Sequence, residues 1–285
     1  MQVYRARAFT HNTNFNGKSV LGNPASVVFC NQMMPSKEEM SRIAVTEKAP
    51  MTAFLSQKLD NHFDIEFYTP AGERFCLCGH ATLVAAYFVY QQYGYDNVFF
   101  HKLIRVNDNI SEVIESNKVE DIFTIDMPAY KPNAAKNLKT DWFATIMGIE
   151  NYKSVYFCHQ LKDIIIMLHD TKALRKAKPL YHELAVILAA DNIRGIFLTA
   201  KSTEVNIDYE VRIFAPHLGI NEDISCGSAN CSLLPLWHKY LGATNGDYFS
   251  ILCPYDKASD FLGGVETGSY NETKKRIYIG GRISE

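Results

Sequence analysis

The chain has 285 residues, of which 47% are hydrophobic, and its 29 basic and 31 acidic residues give a formal net charge of −2. This length allows two domains of ordinary size, and the balanced charge gives no electrostatic reason to expect nucleic acid or an anionic membrane as a partner. No apolar stretch approaches the roughly 18 uncharged residues of a spanning helix. The N-terminal residues lack an apolar signal core, and the seven cysteines have no regular spacing. We therefore expect no disulfide framework and a cytoplasmic location.

The first half of the sequence predicts a strand-rich domain with one dominant helix. Ser36 and Glu39 form a capping box that begins a helix through about residue 44. A second helix, predicted over 79–93, is apolar on nearly every side, as buried helices are, and Gly94 ends it. Apolar patterns predict strands at 2–9, 25–30, 52–56, 63–68, 98–104 and 122–127. The strands at 52–56 and 63–68 are expected to be antiparallel neighbours across a polar turn at Asp60-Asn61.

The second half follows a polar, proline-containing segment, residues 131–139, which is the predicted linker. Helices are predicted over 140–148, 179–189 and 228–240. Gly242 ends the last of these, and Pro235 is expected to bend it. Strands are predicted at 154–158, 164–168, 195–199, 207–214, 248–253 and 276–283.

The order of these elements favours an α+β fold over an alternating βαβα pattern. We predict two pseudo-symmetric domains, residues 1–129 and 130–271, each a barrel-like, mostly antiparallel sheet around a central helix. The closing segment 272–285 is a candidate to cross over and pack on the first domain. The active site is expected in the cleft between the domains.

One short sequence pattern occurs once in each half. The first copy has FYTP at 67–70, Glu73 and CGHA at 78–81, and the second has IFAP at 213–216, Glu222-Asp223 and CGSA at 226–229. We call residues 78–81 and 226–229 the first and second CG segments. Each precedes or begins an apolar helix, so the repeat predicts two similar helix starts that face one another.

Such helix starts have a definite chemistry. Their backbone N–H groups are unpaired and carry about half a positive charge, and glycine allows a ligand to approach closely, so they favour a carboxylate. Two facing starts predict a small carboxylate-bearing substrate, and the candidates to hold it are Gly79, Gly227, Ser228 and Ala229.

The same segments carry groups that exchange protons. A cysteine at a helix start has a lowered thiol pKa, so Cys78 and Cys226 are a candidate acid/base pair. His80 and Asp223 are further candidate proton carriers.

Structural interpretations of these residues stay open. A free cysteine is commonly a small buried hydrophobe, an aspartate before a helix is often only a cap, and His80 in a first helical turn can simply bond the backbone. The spacing of Cys76, Cys78 and His80 is not that of a zinc site, so no metal is predicted. Repetition of the whole pattern in both halves favours the functional interpretation.

With these segments the chain resembles the phenazine-biosynthesis (PhzF-like) isomerase family, which is related in fold to diaminopimelate epimerase and proline racemase. The matching stretches lie between residues 21 and 282 and are LGNPASVV, IEFYTPAGERFCLCGHATLVAA, VRIFAPHLGINEDISCGSANCSLLPLW and IYIGGR. The resemblance implies two similar domains with the site between them, no cofactor and no metal, and often a homodimer. It places Gly79, His80, Asp223 and Ser228 in the substrate site, and we add Asn23 of the first stretch as a substrate-binding candidate.

The chain departs from this family at one position. Members usually have a Ser-Glu-Thr-x-Phe stretch whose glutamate is the main acid/base, whereas this sequence has PMTAF at 50–54, with Met51 in the place of the glutamate. A thioether cannot carry a proton, and Glu47, four positions away, is not expected to point to the same place. The position of Cys226 is often threonine in the family, while the two-cysteine racemases have cysteine at both helix starts.

Two hypotheses follow. The first is a cofactor-independent isomerase or epimerase that removes and returns a proton on a small carboxylic acid. The second, supported by Met51, is a catalytically silent relative that binds a metabolite or a protein partner.

Overall fold

A computed structural model describes residues 1–11, 14–30, 33–75, 77–102, 112–135, 141–255 and 261–285. The strands of the first half are β1 (Gln2–Thr10), β2 (Ser19–Val20), β3 (Asn23–Cys30), β4 (Thr52–Leu59), β5 (His62–Tyr68), β6 (Arg74–Phe75), β7 (Asn97–Lys102), β8 (Glu112–Val119) and β9 (Ile122–Pro128). Those of the second half are β10 (Asn133–Ala134), β11 (Ser154–Cys158), β12 (Asp163–Met167), β13 (Gly195–Lys201), β14 (Tyr209–Ala215), β15 (Ile220–Asp223), β16 (Tyr248–Pro254), β17 (Phe261–Asn271) and β18 (Arg276–Ser284).

The α-helices within the described ranges are α1 (Lys37–Glu47), α2 (Gly79–Tyr93), α3 (Asp141–Met147), α4 (Thr171–Lys176), α5 (Tyr181–Ala190) and α6 (Asn230–Leu241). Two 3₁₀ turns lie at Pro216–Leu218 and Gly227–Ala229. The second of these turns contains most of the second CG segment. It leads directly into α6.

Seven strands of the first half close into a barrel together with β18 from the end of the chain. The order of pairing is β1, β3, β4, β5, β7, β8, β9 and β18, and β18 then pairs with β1 to complete the ring. Helix α2 packs on β1, β3, β4, β9 and β18. It buries residues on every side, including Leu83, Val84 and Phe88, which explains its uniformly apolar sequence. Closure leaves these strands without exposed hydrogen-bonding edges.

The second half builds a sheet outward from β18. Strands β17, β16, β14, β13, β12, β11 and β10 pair one after another in that order. Helix α6 packs on β17 and β18 and buries Leu233, Leu234 and Trp237. The predicted α+β fold, with one central helix per half, is confirmed.

Strand β18 belongs to both halves. It comes from the closing segment 272–285 and pairs with β9 along one edge. Along its other edge it pairs first with β17 and then, at residues 282–284, with β1. The hydrogen bonds of this one strand therefore join the two sheets. The domain boundary between residues 129 and 130 stays a prediction.

The helix ends that were predicted from local sequence are present in the structure. The Ser36 side chain accepts a hydrogen bond from the Glu39 backbone N–H at 3.2 Å, and Gly94 and Gly242 end their helices at φ values of 73° and 66°. The antiparallel pairing of β4 with β5 around Asp60 is also present. The helix predicted from residue 179 instead begins at Tyr181.

Strand β17 was missed by the sequence analysis, as were β8 and α4. The sequence of β17 contains Gly263, Gly264 and Gly268, and glycine is unfavourable in strands. The reason for glycine is packing, because a Cβ on Gly264 would lie 2.6 Å from the Cβ of Ser225. The strand therefore passes directly against the residues that precede the second CG segment.

Some predicted features lie outside the described residues: Cys76, residues 103–104, the 136–139 part of the linker and Thr140. The other six cysteines are free thiols. Among the helices that the structure describes, none combines the length and apolar character needed to cross a membrane.

Candidate active site where the two helix starts meet

The two CG segments contact each other through their glycines. A Cβ built on Gly79 would lie 3.3 Å from the Gly227 Cα and 3.4 Å from the Ser228 backbone nitrogen. A Cβ on Gly227 would lie 3.6 Å from the Gly79 Cα and 3.1 Å from the Phe9 ring. A side chain at Gly79 would press against the backbone of the second segment, whereas one at Gly227 would first meet the Phe9 ring. We call the contact between the two segments the junction.

The two segments begin with the same backbone geometry, although the first leads into an α-helix and the second into a 3₁₀ turn. Cys78 has φ and ψ of −136° and 105°, and Cys226 has −135° and 94°, so both are extended residues that precede a helical turn. In each segment the cysteine Sγ lies 3.4 Å from the side chain two residues later, the Nδ1 of His80 or the Oγ of Ser228. The repeat in sequence is therefore a repeat in structure.

The first CG segment has an apolar setting. Cys78 and His80 are 4% and 7% exposed. Burial raises the pKa of the Cys78 thiol to about 12. It lowers the pKa of His80 to about 4, against the effect of a hydrogen bond with the Pro24 backbone. At neutral pH this segment holds a protonated thiol beside a neutral imidazole.

The second CG segment has a carboxylate beside its cysteine. Asp223 Oδ1 accepts a hydrogen bond from Asn23 Nδ2 at 2.8 Å, and the same nitrogen donates to the Ser225 carbonyl at 2.6 Å. Burial raises the pKa of Asp223 to about 6, while a hydrogen bond from Cys226 acts in the opposite direction. Burial also raises the pKa of the Cys226 thiol well above its ordinary value. Asp223 is therefore mostly ionised at neutral pH and Cys226 is protonated.

Asn23 links the halves at this point. It begins β3 of the barrel and is 1% exposed, and among the described residues its Nδ2 donates to Asp223 and Ser225 of the second half. The sequence proposed Asn23 as a substrate ligand. In the structure, its Nδ2 also orients the Asp223 carboxylate by donating a hydrogen bond to it.

Ala229 has its amide already engaged. Its N–H donates to the Cys226 carbonyl at 3.0 Å within the 3₁₀ turn, and its side chain is fully buried. The Ala229 amide therefore closes the turn, and Gly227 and Ser228 remain as candidate amide donors of the second segment.

Glu266 lies behind the second segment and was missed by the sequence analysis. This residue of β17 is 1% exposed and accepts hydrogen bonds from Ser225 Oγ and Asn230 Nδ2, the residues that flank the segment. Tyr209 donates to Asn230 Oδ1 at 2.7 Å. Burial raises the pKa of Glu266 to about 7. The carboxyl group braces both ends of the segment, and β17 offered no sequence signal that it would pass here.

Arg194 and Asp163 form a second missed cluster. Arg194 donates to both carboxylate oxygens of Asp163, at 2.7 and 2.6 Å, and from Nη1 to the Ser228 Oγ at 3.0 Å. Asp163 begins β12 and Arg194 precedes β13, and these strands pair in parallel. Neither residue belongs to the repeated pattern, so only the fold brings them to the second CG segment.

Met51 is 4% exposed and belongs to the same apolar core cluster as Cys78 and Ala229. Its backbone carbonyl accepts from the Ser26 N–H at 3.0 Å. Glu47 is engaged elsewhere, with Arg5 at 2.6 Å and the Ser26 Oγ at 3.1 Å. Glu47 therefore does not replace the missing acid, and the position of the Met51 side chain in the cleft stays a prediction.

The described residues contain no group of three or more histidine, cysteine or acidic side chains arranged to hold a metal ion. The groups that the structure brings together at the junction are proton carriers and hydrogen-bond donors. Cys78 and His80 lie in one segment, while Asp223 and Cys226 lie at the other.

Comparison with known proteins gives a consistent result. A family profile described as "Phenazine biosynthesis-like protein" matches residues 12–282. An uncharacterized isomerase of Vibrio cholerae is 29% identical over 252 residues, 83% of this chain and 80% of the relative. A PhzF family crystal structure from Enterococcus faecalis superposes with a TM-score of 0.79 at 27% identity, covering 99% of this chain and 95% of that one. A probable proline racemase from Agrobacterium radiobacter, 9% identical, shares the fold with a TM-score of 0.61, covering 99% of this chain and 89% of that one.

Proposed function

Because the chain belongs to the phenazine biosynthesis-like family, whose curated members include isomerases, we propose that it is a cofactor-independent isomerase or epimerase of a small carboxylate-bearing metabolite. The observation that carries this proposal is the junction, where two matched helix starts touch and each brings a pair of proton carriers. The proposed substrate binds at the junction as an anion. We further propose a cytoplasmic homodimer that has neither nucleic acid nor a membrane as a partner.

The proposed base is the pair formed by Asp223 and Cys226. A carboxylate with a pKa of about 6 is mostly ionised at neutral pH and still basic enough to accept a proton. It takes the proton from the carbon next to the substrate carboxylate, and the C–H electron pair passes into that carboxylate as an enediolate. The Gly79, Gly227 and Ser228 amides would stabilise the added negative charge.

The proposed acid is the pair formed by Cys78 and His80. The Cys78 thiol is protonated at neutral pH and lies 3.4 Å from the His80 Nδ1, so it can give its proton to the carbanion and recover one through the imidazole. Return to the same carbon from the opposite face gives an epimer, and return to a conjugated carbon gives a shifted double bond. Both outcomes use the same four side chains.

Solvent deuterium exchange tests this proposal. The protein would be incubated in D₂O with a panel of amino, hydroxy and unsaturated carboxylic acids, and each acid analysed by mass spectrometry and NMR. We expect deuterium at the carbon adjacent to the carboxylate, or at a conjugated carbon, for at least one acid. Asp223→Asn should abolish the exchange. If the wild type exchanges no member while an anion-binding assay detects ligands, the isomerase proposal is wrong.

Met51 favours a second candidate function, a relative that binds a metabolite or protein without turnover. The variant Met51→Glu restores the family's carboxyl group at this position. If exchange occurs in Met51→Glu and is absent from the wild type, the silent-relative hypothesis is supported. If the wild type exchanges and the variant does not improve on it, the protein works without that glutamate.

A further inference from the structure

An ion pair with a buried aspartate holds a guanidinium beside the second CG segment. The Nε and Nη2 of Arg194 donate to the two oxygens of Asp163 at 2.7 and 2.6 Å. The Asp163 side chain is fully buried and also accepts from the Ser232 Oγ at 3.4 Å. A bidentate pair of this kind fixes the plane of the guanidinium. Arg194 is therefore held in one orientation by the body of the second half.

That orientation points the third nitrogen at the site. Arg194 Nη1 donates to Ser228 Oγ at 3.0 Å, and this oxygen lies 3.4 Å from Cys226 Sγ. A guanidinium has five N–H bonds. The bonds that Arg194 makes to described residues use one on each nitrogen, so Nη1 and Nη2 each retain one. The Arg194 side chain as a whole is 25% exposed, whereas Asp163 is fully buried.

The charge of Arg194 is not cancelled on the side of the site. Asp163 occupies the Nε–Nη2 edge, whereas Nη1 faces Ser228. The ion pair therefore presents the positive end of its dipole to the second CG segment. Because Arg194 donates to the Ser228 oxygen, the hydroxyl hydrogen of Ser228 can point to an acceptor, which is the Cys226 Sγ at 3.4 Å until a ligand oxygen replaces it.

We propose that Arg194 is the specificity-determining residue for the substrate carboxylate, which binds at the second CG segment against Arg194, the Ser228 hydroxyl and the Gly227 amide. The inference rests on the proposed function and adds the orientation of the substrate. With the carboxylate held on this side, the adjacent carbon lies toward the junction. The Asp223–Cys226 pair and the Cys78–His80 pair then lie on either side of that carbon.

Two alkylating reagents of matched size test this without knowledge of the substrate. Iodoacetate carries a carboxylate where iodoacetamide carries an amide. In both cases the Cys226 sulfur forms a C–S bond, the C–I bond breaks, iodide leaves and the thiol proton goes to the buffer. The ratio of the two rates at Cys226, measured by peptide mass spectrometry and divided by the ratio for glutathione, reports how strongly the site favours a carboxylate.

We expect Arg194→Gln to lower this ratio about tenfold, the change that follows from the loss of a charge-assisted hydrogen bond. Arg194→Lys keeps the charge and should retain most of the preference. The matched control is Arg175→Gln, which removes a half-buried arginine that pairs with Glu204 and Glu210 rather than with a CG segment. That control should leave the ratio at Cys226 unchanged.

A second variant separates this role from folding. Arg194→Gln leaves the buried Asp163 without its cation, which is destabilising, so Asp163→Asn combined with Arg194→Gln removes both charges together. Circular dichroism and Tm verify the fold of each variant. A ratio that stays at the wild-type value in both variants overturns the proposal, as does failure of both reagents to label Cys226 in the native protein. Deuterium exchange is scored separately, so its failure rejects turnover without affecting this result.

Discussion

The two CG segments have cysteines of nearly the same backbone conformation but differ in the groups that surround them. Both cysteines have nearly the same φ and ψ, and both place their sulfur 3.4 Å from the side chain two residues later. The first segment lies in an apolar environment with a neutral His80, whereas the second is surrounded by Asp223, Arg194 and Glu266. Two segments of similar sequence and similar cysteine geometry therefore have different electrostatics.

This difference argues against two interchangeable thiols. A symmetric pair would give each cysteine the same cation or carboxylate, but only Cys226 has a hydrogen-bonded Asp223 and an Arg194-bonded Ser228 among the described residues. Both thiol pKa values are raised by burial. The carboxylate is therefore the stronger candidate for the resting base, and the first segment is the better source of a proton.

The largest expected effect comes from removing that carboxylate. Asp223→Asn keeps the shape and the bond to Asn23 but cannot accept a proton, so the exchange rate should fall about 10²–10⁴-fold. The matched control, Asp247→Asn, alters an exposed carboxylate that caps a turn at Thr244 and should leave exchange unchanged. Equal rates for Asp223→Asn and the wild type would remove the proposed asymmetry.

A smaller effect is expected from forcing the two segments apart. Gly79→Ala places a methyl group 3.3 Å from the Gly227 Cα, where only backbone can yield. Gly227→Ala first meets the Phe9 ring at 3.1 Å, which is a side chain. Overpacking of this kind lowers the free energy of unfolding by about 1–3 kcal/mol. We expect Gly79→Ala to lower the exchange rate about tenfold, a larger loss than that caused by Gly227→Ala. Thermal unfolding and exchange rates measure both, and the reverse order would contradict the described contact.

The pH dependence of stability should have opposite signs in the two halves. The pKa of Glu266 is raised from 4.5 to about 7, so its contribution to stability is present below pH 4.5 and is lost as pH rises through 7. The pKa of His80 is lowered from 6.5 to about 4, so its contribution is present above pH 6.5 and is lost as pH falls through 4.

Two variants check these signs by Tm measured between pH 4 and 8. The Tm of Glu266→Gln minus that of the wild type should increase by about 5 °C as pH rises to 7. The Tm of His80→Gln minus that of the wild type should increase by about 5 °C as pH falls to 4. Parallel pH profiles for the two variants would show that the halves are electrostatically alike.

The smallest expected effect concerns access to the two thiols. Cys226 is partly exposed and Cys78 is 4% exposed, so iodoacetamide should label Cys226 several-fold faster than Cys78. Cys226 should also be labelled faster than Cys30, Cys158 and Cys253, which are buried. Peptide mass spectrometry after timed labelling gives the rates. Similar slow labelling of all these cysteines would make them packing residues.

The sequence by itself determined the features that depend on neighbouring residues. The caps at Ser36, Gly94 and Gly242, the hairpin around Asp60, and the apolar helix α2 all follow from patterns within one or a few turns of chain. The repeated CG segments predicted two equivalent helix starts for the same reason. Comparing one half with the other needs no knowledge of long-range pairing.

Only the tertiary structure decided which charges surround each start. Glu266 reaches Ser225 along β17, a strand hidden in the sequence by glycines that its close packing requires. Arg194 reaches Ser228 because β12 and β13 pair in parallel and bring Asp163 to its guanidinium. These contacts join residues 31–41 positions apart, and burial then sets their pKa values. Neither long-range strand pairing nor burial can be inferred from the periodicity of neighbouring residues. The sequence therefore predicted the repeated segments, and the fold decided the difference in charge between their surroundings.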